Sequence, residues 1–185
     1  MFSFKRHKGK FATLVAASSI MFVASTQAAD VAGTPMMLTA YVNGAGGESL
    51  ISGNYDAAIA EMKALRTTTA TEYSAKMNNL CVAYTVTKQL IEAKDTCTAA
   101  VKAAKYDRLS SQRYAVGSSR ENSYIAIAYT NRAVASMMAK DSVAAKSDLD
   151  RAKSLAPSAE FVSRNIAAVQ TKGSTIAKLD VAPAR

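Results

Sequence analysis

Between about Ser49 and Gln170, apolar positions recur at three- and four-residue spacing in an alanine-rich background, and alternating apolar–polar runs are scarce. That pattern predicts amphipathic helices, because those spacings place side chains on one helical face. Packed antiparallel helices are expected over residues 53–66, 74–104 and 120–156. Pro157 ends a helix, Phe161 to Val169 reads as one more, and Lys172-Gly173 stops it. The pattern fails on both flanks. Residues 30–47 contain Gly33, Pro35, Gly44, Gly46 and Gly47, which disfavour helix, so residues 29–48 are expected to be a flexible segment. Residues 171–185 are expected to be a loose tail.

A different apolar run, Phe11 to Ala24, lies further upstream and follows Lys5, Arg6, Lys8 and Lys10 directly. A basic start, a short apolar stretch and then the small residues of Ser25-Thr26-Gln27-Ala28-Ala29 have the order of a secretory signal peptide, with cleavage expected after Ala28 or Ala29. The run is short for a membrane span. With residues 1–28 removed, the formal charge falls from +9 to +5, so much of the basic balance belongs to targeting. His7, the only histidine, is lost with them, which excludes histidine acid–base chemistry and histidine metal ligands from the mature chain. No second long apolar run follows, so no transmembrane anchoring is expected after signal removal.

Small residues are spaced regularly within the helical region. Leu80-Cys81-Val82-Ala83-Tyr84 is followed by Ala93 and Ala100. Tyr129, Asn131, Arg132 and Ala133 are followed by Asp141, Ala145, Leu149, Ala152 and Pro157, and a shorter match is Gly53-Asn54-Tyr55-Asp56-Ala57-Ala58 with Met62 and Leu65. These stretches resemble the tetratricopeptide repeat, in which large and small residues alternate so that two antiparallel helices approach closely. Ala58 and Ala93 are 35 positions apart, near the repeat's period of about 34. Ala93 and Ala145 are 52 apart, and the 18 extra residues are read as an insertion near 104–121. Arg132 stands in place of a usual leucine and Ser136 of a usual tyrosine. The resemblance implies an all-α fold: a right-handed superhelical array of helix hairpins over residues 49–170, with about two full repeats, a half repeat and a C-terminal capping helix.

The resemblance also implies a groove lined by the first helix of each repeat. Its positions would be Ala75, Asn78, Val82, Thr85 and Val86, then Ile127, Thr130, Val134, Met137 and Met138. Such a groove is largely apolar and would take a protein or peptide segment. The competing reading is that the chain's own tail or a second copy covers it. In the matched hairpin Cys81 and Cys97 sit at similar heights on facing helices, where a disulfide would staple them. Export favours that bond over two buried thiols.

Lys102, Lys105, Arg108, Arg113 and Arg120, interleaved with Tyr106 and Tyr114, form a basic stretch that suits an anionic surface or a solvated connection. An exported chain rarely meets nucleic acid, and none is expected as a partner. No phosphate loop, nucleophile elbow or metal-ligand set is present, so no catalytic residue, metal or cofactor is assigned. The sequence thus reads as a non-enzymatic adaptor or scaffold of the bacterial periplasm. The alternatives are a self-assembling structural protein of the envelope and an envelope enzyme with a paired-carboxylate cleft.

Overall fold

In the computed structural model the described residues are 35–111, 118–170 and 179–184; of residues 110, 111 and 118–121 only the backbone is described. Among the described residues seven helices and two short strands succeed one another as β1 (Met36–Ala40), α1 (Gly47–Ile51), α2 (Tyr55–Ala64), α3 (Ala70–Val86), α4 (Leu90–Ser111), α5 (Ser118–Met138), α6 (Ser142–Leu155), α7 (Glu160–Gln170) and β2 (Leu179–Pro183).

Three tight turns share one geometry. Each joins two helices through three residues, and the middle one has positive φ: Gly53 at 80°, Lys88 at 60° and Lys140 at 63°. The residue after it donates its N–H five residues back, Asn54 to Ser49 O, Gln89 to Tyr84 O and Asp141 to Ser136 O, at 2.7, 2.9 and 2.8 Å. A left-handed residue closing the last helical turn satisfies carbonyls that would otherwise lack partners. It also folds the next helix back antiparallel. Asp141 then caps α6 by accepting from Ala144 N at 2.9 Å. At the start of α3, Thr69 and Glu72 form a reciprocal capping box.

The small anchors Ala58, Ala93, Ala100, Ala145 and Ala152 are all buried, on the second helix of each hairpin. Cys81 of α3 and Cys97 of α4 form the expected disulfide inside the core, with Cα atoms 4.6 Å apart. Arg132 of α5 grips Asp148 of α6 through two bonds of 2.7 and 2.8 Å, which gives the residue at the leucine position a partner in the facing helix. Of the expected insertion near 104–121, residues 104–111 belong to α4, of 22 residues, and 118–121 to α5, of 21, while residues 112–117 lie outside the described ones.

The flanks differ from expectation. Residues expected to be a flexible N-terminal segment form β1, all five of whose residues are buried. Residues expected to be a loose tail include β2, which pairs with β1 in parallel from Met36↔Leu179 to Ala40↔Pro183. The fold is therefore mostly helical, broadly as the all-α expectation has it, with a small two-stranded sheet added. Of the glycines expected to disfavour helix, Gly44 and Gly47 build a tight turn, and Gly33 lies outside the described residues. Gly44 N donates to Tyr41 O and Gly47 N to Gly44 O, both at 3.0 Å. A Cβ on Gly47 would lie 2.2 Å from Tyr41 O, so only glycine fits there.

Candidate functional site

β1 runs across α7, α5 and α3, where asparagines from those helices grip its main chain. Asn165 accepts from Met37 N at 2.6 Å and donates to Met37 O at 2.7 Å. Asn131 does the same for Thr39, both bonds 2.8 Å. Asn79 does so for Tyr41, at 2.8 and 2.9 Å, and also donates to Ala45 O at 3.0 Å. Asn78 donates to Thr39 O at 3.0 Å and accepts from Asn131 at 2.9 Å. All four side chains belong to buried residues.

The spacing follows from strand geometry. Backbone groups of successive strand residues point to opposite edges, so residues 37, 39 and 41 present one edge to the asparagines. Residues 36, 38 and 40 turn the other edge toward β2, and Ala40 O accepts from Ala184 N at 2.8 Å. A carboxamide carries an acceptor and a donor side by side, so each asparagine replaces one residue of a neighbouring strand. At the strand's start, Arg164 donates to Pro35 O at 3.3 Å and pairs with Asp180 of β2.

No protein-family model matches this chain, and no curated protein or solved structure is significantly similar to it.

Of the groove positions expected from sequence, the structure brings Val82, Val86, Val134 and Met137 together, and not as an open apolar face. Asn78, Val82, Thr85, Ile127, Thr130 and Val134 are buried. Ala75, Val86, Met137 and Met138 are half-buried. β1 covers this face, and Met36, Leu38 and Ala40 join Val82 and Val134 in one core cluster, with Val86 and Met137 packed at its margin. The hydroxyls of Thr85 and Thr130 are turned back onto carbonyls of their own helices, Cys81 O and Ala126 O. The covering segment is thus the chain's own, and it comes from the N-terminal side, with the tail strand β2 paired along its other edge.

Sequence reasoning found Asn78 but missed Asn79, Asn131 and Asn165 as groove residues. The signal was in the register: Asn79 to Asn131 is 52 positions, the same offset as Ala93 to Ala145, and Asn131 to Asn165 is 34.

Beyond Tyr41 the groove opens into a cleft of about 870 Å³ lined by Tyr41, Arg66, Glu72, Asp107 and Tyr124 among others. Tyr41 meets Tyr124 edge to face, with ring centres 5.5 Å apart. Burial pushes the Tyr41 hydroxyl above the usual tyrosine range, with Tyr124 and Asp107 adding to the shift. Two carboxylates in one cleft invite comparison with a glycosidase pair. Glu72, however, accepts from Thr68 N, Thr68 Oγ1 and Thr69 N, and these bonds hold its carboxyl below the usual range. A general acid needs the opposite shift.

Three members of the basic stretch, Lys102, Lys105 and Arg108, have described side chains, all on α4. Lys102 and Lys105 are exposed on α4, with Lys105 Nζ 5.2 Å from the centre of the Tyr129 ring. Arg108 donates to Asn122 at 3.1 Å. Arg113 and the side chain of Arg120 lie outside the described residues. No described helix is long and apolar enough to cross a membrane.

Proposed function

We propose that this chain is an exported, non-enzymatic adaptor of the bacterial periplasm that holds an extended polypeptide segment in the concave face of a tetratricopeptide-like array. The carrying observation is the asparagine ladder: three helices each offer a side-chain amide to alternate residues of one strand. Helix-lined grooves that accept extended segments need this kind of grip, because the segment's N–H and C=O groups must find partners when water is removed. The repeating turn geometry and the 34- and 52-residue offsets support the repeat reading. The basic, apolar, then small-residue leader supports export, and the Cys81–Cys97 bond fits an oxidising compartment.

The test is affinity capture from an envelope extract with the mature protein, repeated with an excess of synthetic peptide spanning Pro35 to Val42. A captured protein that the peptide displaces supports the groove as the contact. Capture unaffected by the peptide places the contact elsewhere and rejects this reading.

A further inference from the structure

We infer that β1 is a resident but imperfect occupant of the asparagine clamp, and that the segment accepted in its place is an extended stretch of a different chain with apolar alternate residues and valine or isoleucine in the register of Thr39. The inference rests on the groove being a binding site.

The clamp touches only main-chain atoms, so any residue with an N–H can supply the same bonds at registers 37, 39 and 41. Side chains at the intervening registers face the core. Leu38 and Ala40 are 0% exposed, so an incoming segment needs an apolar residue at the first and a small one at the second. The parallel pairing with β2 fixes its direction.

Thr39 breaks the match. It lies at the centre of the clamp, only 3% exposed, with its N–H and C=O fully engaged, yet its Oγ1 has no hydrogen-bond partner. Hydrogen-bonding groups taken from water without a partner are unfavourable, and valine has the same shape with a methyl in place of the hydroxyl. A second copy of this chain would bring the same threonine and gain nothing, which points to a different partner. Exchange also leaves every helical hairpin covalently intact, because β1 is joined to α1 only through the turn after Tyr41.

The experiment uses the full mature chain with a protease site inserted after Asn43 and cut in the folded state, so that β1 stays bound without a covalent link. Fluorescent peptides spanning Pro35 to Val42, carrying threonine, valine or proline in the register of Thr39, then compete with the resident strand. The valine peptide should bind about tenfold more tightly than the threonine peptide. The proline peptide, which has no N–H for Asn131, should not exchange. In the uncut chain Thr39→Val should raise the melting temperature. If the peptides exchange but valine gives no gain, or Thr39→Val lowers the melting temperature, the hydroxyl is in use and the imperfect-occupant inference is overturned while the groove stands. If Thr39→Val stabilises but no peptide exchanges from the cut chain, β1 is a permanent part of the core and the binding-site reading itself fails.

Discussion

A carboxamide is the neutral side chain that can replace both halves of a peptide group, and this gives the buried asparagines their particular sensitivity to substitution. Asn131 alone serves Thr39 N, Thr39 O and Asn78 Oδ1. Asn131→Ala leaves Thr39 N–H buried without an acceptor and Asn78 Oδ1 without this donor, and should lower stability by roughly 3 kcal/mol in urea unfolding. Asn131→Asp is no rescue: the carboxylate accepts from Thr39 N but cannot donate to Thr39 O, and it places a charge in a fully buried site whose partners are neutral amides and carbonyls. A loss under 1 kcal/mol for both variants, well below the usual penalty of about 1–3 kcal/mol per unmatched buried group, would show that the strand is loosely held. Glu72 gives a second residue-scale prediction. Its carboxyl pKa is lowered in the folded chain by bonds from Thr68 and Thr69. The start of α3 is therefore fully supported above the ordinary glutamate value and loses that support as pH falls through the lower folded value. Carbon-detected NMR titration should find Glu72 ionised below the pH at which exposed glutamates protonate.

At the scale of elements, the helices were legible because three-and-four periodicity is a local property, and α3, α5, α6 and α7 stand close to where it placed them. The small anchors were legible for the same reason, and Ala93→Leu or Ala145→Leu should overpack a helix contact and destabilise by about 1–3 kcal/mol in thermal melts. Both alanines are 0% exposed, so an unchanged melting temperature for both would contradict the packing. The strands were not legible. Met36–Ala40 is buried on every residue and so shows no alternation, and its strand partner lies more than a hundred positions away. Strand formation there depends on what surrounds the segment rather than on its own sequence. The ladder was hidden for a related reason. A lone asparagine in a helix is unexceptional, and its meaning emerges only when the fold brings Asn79, Asn131 and Asn165 from three helices onto one extended segment. The disulfide was legible through the hairpin match, and replacing both cysteines with alanine should cost about 3 kcal/mol, the expected value for closing a loop of this length.

At the scale of the whole molecule, strands from both flanks of the helical region pair with each other, so the helices are completed by residues that lie outside 49–170. What fills the groove is neutral: backbone amides on carboxamides, with Met36, Leu38 and Ala40 against Val82 and Val134. An ion pair at its margin, Arg164 with Asp180, lies at the start of the strand and is partly exposed on both partners. Such a pair contributes little in water. Residues 29–185 nevertheless carry a formal charge of +5, and a contact made through Lys102 to Arg120 would draw on that charge. The two surfaces therefore differ in their response to salt. Groove binding of the Pro35 to Val42 peptide, measured on the protein cut after Asn43, should change by less than about twofold between low and physiological ionic strength, because screening acts on exposed charges and the clamp has none. Asn165→Ala should weaken that binding about tenfold at every salt concentration, since it removes two main-chain bonds whatever the ionic atmosphere. Affinity that collapses as salt rises and ignores Asn165→Ala would instead identify the basic helix surface as the contact, and the ladder would then serve only to fasten the chain's own strand.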